Sequence, residues 1–196
     1  MATDASPRRR PGTVSRPVLA EDLDDWLADP VVRTCHRRTT AAAPDVLWAA
    51  ARQVRLSETG TLGRLVRWRI PGTAPDQTFQ GLLSEYPFVV LAEGERWSMS
   101  GLCGRIWTLN RDYPRLDGPE AFRAWDQPGT ARVLFAHWVE DDGGGVSTIH
   151  SEARIAPVDR AAEVRLRSLW LVIGMFERLI GAESLALAAA HAEGRR

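Results

Sequence analysis

The chain has 196 residues, 44% of them hydrophobic and 26% charged, which suits one globular domain with a buried core. Basic and acidic residues balance at 25 each, so no net field recruits nucleic acid or an anionic membrane surface. Every one of the 25 basic residues is Arg, which excludes lysine chemistry such as a Schiff base or a P-loop.

The Arg bias and the Ala-rich helices have the character of GC-rich coding and suggest a bacterial source. Cys35 and Cys103 are too few for a disulfide framework or a metal cluster, and each is expected in a strand as a small buried hydrophobe. Arg8-Arg9-Arg10 is followed by no continuous apolar segment, so no secretory signal is expected. No run approaches the roughly 18 apolar residues of a membrane span, and the expected location is cytoplasmic.

Residues 1–18 mix Pro, Arg, Ser and Thr without periodicity and are expected to form a disordered tail, leaving 19–196 as a single domain. Leu19, Leu23, Trp26 and Leu27 alternate with acidic residues in a short amphipathic turn that would cap the domain, and Asp29-Pro30 ends it. Val31 to Thr39 reads as a first strand. Pro44 and Asp45 then open a helix on which Val46, Leu47, Ala50, Ala51 and Val54 recur at helical spacing.

The middle of the chain is expected to be rich in strands, at Leu65–Ile70, Phe79–Leu83, Phe88–Glu93 and Arg96–Trp107. Gly101 and Gly104 inside the last of these predict a bulge or bend that curves the sheet. Residues 110–129 are loop-rich, with a short helix at Glu120–Trp125.

The ending carries the strongest pattern. Residues 131–139 and 146–155 alternate as two strands joined by Glu140-Asp141-Asp142-Gly143-Gly144-Gly145. From Asp159 to His191 an unbroken helical pattern follows, with Ala162, Leu166, Leu169, Ile173, Phe176 and Ile180 on one stripe. That stripe should face the sheet, so the arrangement predicts an α+β fold: a curved antiparallel sheet wrapped around a long C-terminal helix.

The order of elements resembles the START/Bet v 1-like helix-grip superfamily, also called SRPBCC or polyketide cyclase/dehydrase-like. The phrases that carry the likeness are Thr39-Thr40-Ala41-Ala42-Ala43-Pro44-Asp45-Val46-Leu47-Trp48, Gly101-Leu102-Cys103-Gly104-Arg105-Ile106-Trp107, Ser151-Glu152-Ala153-Arg154-Ile155 and Leu169-Trp170-Leu171-Val172-Ile173. They span about residues 30–192. The resemblance implies an apolar cavity between sheet and helix, and it carries over no catalytic motif, because the superfamily has no shared one. The Cys/His ligands of its Rieske-type oxygenase members are absent from this sequence.

The register of the final hairpin decides which polar groups meet that cavity. With Ile149, Ser151, Ala153 and Ile155 inward, His150, Glu152 and Arg154 point outward and could join Arg132 in a surface ion ladder. A one-residue change puts Glu152 and Arg154 in the cavity as a polar anchor. His137 shares a face with Phe135 and Val133 and is the best candidate for an inward ionisable group, either as a hydrogen-bonded core histidine or as an acid/base. His36 has the same ambiguity.

Eight tryptophans are expected mostly in the core, with Trp107 and Trp170 on two walls of the grip. No HExxH, GxSxG, phosphate-binding Gly loop or zinc spacing occurs, and the Glu140-Asp141-Asp142 loop lacks calcium-ligand spacing. No metal or cofactor is therefore expected.

The leading expectation is a protein that binds a small apolar or amphipathic ligand through Arg105, Trp107, Phe135, His137, Glu152, Arg154, Trp170 and Ile173. The first alternative is a cyclase or dehydratase using His137 or Glu152 as acid/base. The second is a protein-interaction module with a filled core. No nucleic-acid partner is expected, and a homodimer is left open.

Overall fold

The computed structural model describes residues 19–70, 72–108 and 113–195, with the side chains of 19–22, 69 and 171–181 outside the description. The expected tail at 1–18 therefore lies outside the described residues, as do the side chains of Ile173, Phe176 and Ile180. Helix α1 (Leu19–Leu27) precedes strand β1 (Val32–Thr40), helix α2 (Pro44–Gln53) and two short helices, α3 (Thr61–Arg69) and α4 (Phe79–Leu83). Strands β2 (Val89–Gly94) and β3 (Trp97–Gly104), helix α5 (Pro119–Arg123), strands β4 (Ala131–Gly143) and β5 (Val146–Pro157), and helix α6 (Arg160–Ala192) complete the chain.

All five strands form one antiparallel sheet in the order β1-β5-β4-β3-β2, and α6 packs on β1 and β5. This is the helix-grip architecture, an α+β fold. The hairpin β4–β5 turns through Gly143, Gly144 and Gly145, all at positive φ (82°, 63° and 81°), a conformation open to glycine at little steric cost. Asp159 caps α6, its carboxylate accepting from the N–H groups of Ala162 at 2.7 Å and Gly129 at 2.6 Å.

Two expected strands are helices. Leu65–Ile70 alternates, but Leu62, Leu65 and Val66 also stand at helical spacing and line one side of a cavity from α3. A long-range contact supports the helical choice: the Glu183 carboxylate of α6 accepts from the N–H groups of Gly60 and of Leu62, the latter at 3.0 Å, at the positive end of α3. Phe79–Leu83 is helical under a Thr78 cap, whose hydroxyl accepts from the Gly81 N–H at 3.0 Å. The expected bulge also moves. The register shift lies on β2 between Val90 and Ala92, and Gly101 instead gives room to Phe122. A Cβ at Gly101 would stand 2.7 Å from that ring.

The sheet is covered on both faces. On the concave face, Leu47, Trp48, Ala51 and Val54 of the α2 segment pack with Val139, Ile149, Leu185 and Ala188. On the opposite face, Leu23, Trp26 and Leu27 of α1 pack with Leu91, Met99, Cys103, Phe122, Leu134 and Ala136. Arg123 lays its guanidinium 3.7 Å over the Trp26 ring. Helix α1 thus packs on the part of this face formed by β4 and β5, beside Phe122 of α5. Among the described residues no helix is long and apolar enough to cross a membrane.

Candidate functional site

Between the concave face and helices α3, α4 and α6 lies a cavity of about 320 Å³. Its floor follows from strand alternation, which sends every second side chain to one face. The registers His36↔Ser151↔His137, Thr34↔Ala153↔Phe135 and Val32↔Ile155↔Val133 place three rows of side chains across β1, β5 and β4, all lining the cavity. Leu62, Leu65, Val66 and Ile70 from the α3 segment, Phe79, Leu82 and Leu83 from α4, Phe88, and Trp170 and Ser184 from α6 complete the described lining. Phe88 and Phe135 meet edge-on with centroids 5.8 Å apart.

Within this apolar wall one polar pair stands out. The Ser151 hydroxyl and His137 Nε2 are 3.0 Å apart, and the Phe79 ring meets the imidazole edge-on at 5.5 Å. His137 is 2% exposed, and its Nδ1 has no hydrogen-bond partner among the described residues. Burial lowers its pKa from 6.5 to about 4, so the imidazole is neutral near pH 7. The linkage runs in one direction. A group that is harder to protonate when folded favours the folded state above its unfolded pKa and opposes it as acid is added. The wild type should therefore lose up to roughly 3 kcal/mol of stability between pH 6.5 and 4. Urea unfolding across that range checks this, and His137→Leu should flatten the slope.

The register decides the fate of Glu152 and Arg154. Ser151, Ala153 and Ile155 face the cavity, so Glu152 and Arg154 lie on the opposite face and do not line it. The expected surface ladder is corrected as well, because α1 covers this face. Glu152 is 4% and Arg154 1% exposed. Arg154 Nε donates to Glu152 Oε1 at 2.6 Å, and its Nη1 donates to Asp24 Oδ1 at 2.6 Å and to the Leu27 carbonyl at 2.8 Å. Arg33 Nη2 donates to Glu152 Oε2 at 3.1 Å and the Cys35 thiol donates to the same oxygen at 3.3 Å. Arg132 instead reaches the Arg123 carbonyl.

Burial alone would raise the Glu152 pKa, but the hydrogen bonds from Arg33 and Arg154 and the charge of Arg154 outweigh it and hold the carboxyl below 4.5. Cys35 is exposed, contrary to expectation, because β1 is an edge strand. Cys103 is buried, and burial pushes its thiol up to about 12.

The remaining expectations divide. Phe135, His137 and Trp170 line the cavity. Arg105 is exposed in the turn after β3, because the strand ends at Gly104, and it does not line the cavity. Trp107 is half-buried against the Val32, Leu102 and Leu166 cluster, outside the described lining. The side chain of Ile173 is outside the description. Ser151 was missed as a partner of His137, although the hairpin register that sets Ser151 inward pairs the two. The strand pattern at Leu65–Ile70 and Phe79–Leu83 hides the α3 and α4 lining. Among the described residues, no three His, Cys, Asp or Glu side chains gather as a metal site.

No protein-family model and no curated protein matches the chain. Solved structures similar to it include XoxI from Bacillus cereus, at 12% identity and a TM-score of 0.39, with 83% of this chain and 96% of that one covered. The Zhui aromatase/cyclase from Streptomyces sp. R1128 aligns at 13% identity and a TM-score of 0.32, over 83% of this chain and 93% of its own. Ara h 8.0201 aligns at 10% identity and a TM-score of 0.33, over 84% and 99%.

Proposed function

We propose that the protein binds a small apolar molecule in the cavity between the sheet and helices α3, α4 and α6. One observation carries this reading: the cavity of about 320 Å³ lies in the range of small-molecule sites, and none of its described lining residues is Arg, Asp or Glu. Apolar surface left open between packed layers is a cost that a ligand removes, at roughly 25 cal/mol for each Å² taken from water. The test is titration with the neutral fluorescent probe N-phenyl-1-naphthylamine, paired with native mass spectrometry of the purified protein. A saturable, blue-shifted emission with about one probe per chain is expected. Unchanged emission and a bare protein mass would end the proposal.

A second reading, proton transfer by His137 on a bound substrate, draws on its hydrogen bond to Ser151 inside the cavity. A pKa of about 4 makes His137 a weak base, which suits a neutral hydrogen-bonding group better than an acid/base catalyst. Glu152, the other acid/base candidate, lies across the sheet from the cavity.

A further inference from the structure

The three rows of the floor differ in polarity along the strands. One outer row is His36, Ser151 and His137, the middle row is Thr34, Ala153 and Phe135, and the other outer row is Val32, Ile155 and Val133. Ser151 and Ile155 are four steps apart along β5, about 13 Å at 3.3 Å per residue. The cavity floor therefore has a polar end and an apolar end.

The two ends also differ in their surroundings. Beyond the polar row the concave face continues to Ile149 and Val139, which are packed under Leu47, Leu185 and Ala188. At the apolar end a second depression, lined by Val31, Val32, Arg167 and Trp170, shares Val32 and Trp170 with the cavity lining. The hydrogen-bonding groups therefore stand at the end next to the packed core, and the hydrocarbon row at the other.

We propose that the cavity takes an elongated apolar molecule carrying one neutral hydrogen-bonding group, a hydroxyl or carbonyl, bound with that group on the Ser151 hydroxyl. The proposal rests on the reading above that the cavity binds ligands. His137 is the positioning residue. Its Nε2 holds the Ser151 hydroxyl, and the imidazole is itself held by the Phe79 ring. Ser151 is half-buried and lines the cavity, so its oxygen is the group presented to a ligand. A carboxylate head is disfavoured, because no Arg is among the described lining residues and a buried anion without a cation is costly.

The experiment is displacement of N-phenyl-1-naphthylamine by decanol and by decanoate at neutral pH, with wild type and Ser151→Ala. Decanol should displace the probe at lower concentration than decanoate. Ser151→Ala should weaken decanol about tenfold relative to the probe, the order of one hydrogen bond. A ¹⁵N shift at the His137 imidazole on adding decanol, absent with the probe, reports the head group beside it. Probe binding with equal decanol and decanoate affinity, or with Ser151→Ala indifferent to decanol, overturns this proposal alone. Absence of any probe binding overturns the ligand-binding reading beneath it.

Discussion

Replacing Arg154 by Ala should destabilise the fold by about 3–5 kcal/mol, the range for breaking a buried ion pair by removing one partner. Arg154 is 1% exposed and joins two elements through three acceptors: β5 through Glu152, and α1 through both Asp24 and the Leu27 carbonyl. Truncation leaves the Glu152 carboxylate dependent on Arg33 and strips the end of α1 of a donor. Lys is not expected to restore the loss, since one ammonium cannot reproduce a guanidinium spread across three acceptors. The paired change Arg154→Met with Glu152→Leu should cost less than Arg154→Ala alone, because it removes both charges. Urea unfolding measures all three. A loss under about 1 kcal/mol for Arg154→Ala would place it with exposed ion pairs and contradict the argument. The cluster is also sensitive to acid. The folded Glu152 pKa is lowered, so its stabilisation is present above 4.5 and fades as pH falls through the lowered folded value.

The same cluster shows where sequence patterns stop being informative. The alternation in 146–155 was enough to pair Ser151 with Ala153 and Ile155 on one face, and that register is observed. Alternation says which side chains share a face, but not what covers it. An Arg and a Glu two residues apart suggest solvent, and only the docking of α1 across the sheet turns them into a buried pair. The turn at Leu19–Leu27 was visible as amphipathic, yet its partner surface of Met99, Phe122 and Leu134 lies far along the chain.

A related limit applied at α3. Leu-Val-Arg-Trp-Arg-Ile satisfies both a strand period and a helix period over six residues, and the N-terminal cap comes from Glu183, more than 120 residues away. The final hairpin and α6 were legible because their patterns run long enough to exclude the alternative period. The same pattern shows which residues of the hairpin alternate together but not which set faces the cavity, so the floor is only half legible. The roof is not, since seven of its ten described residues come from α3 and α4 and their flanks.

Because floor and roof have separate origins, the cavity can be filled from the floor without disturbing the hairpin. Ala153 stands at the centre of the floor, between Thr34 of β1 and Phe135 of β4, and lines the cavity. Ala153→Phe places a ring in that space while keeping every backbone hydrogen bond of β5. Probe affinity should fall by at least about a hundredfold, equivalent to ~2.7 kcal/mol. The side chain enters existing space instead of forcing new space into packed core, so the overpacking penalty of about 1–3 kcal/mol should be largely avoided. Thermal unfolding should therefore show a midpoint equal to or above that of the wild type, which separates blocked binding from lost folding. A folded Ala153→Phe protein that binds N-phenyl-1-naphthylamine with wild-type affinity would move the ligand out of this cavity. Arg105→Ala supplies the opposite control: its side chain is exposed beyond β3, and its loss should leave both affinity and midpoint unchanged.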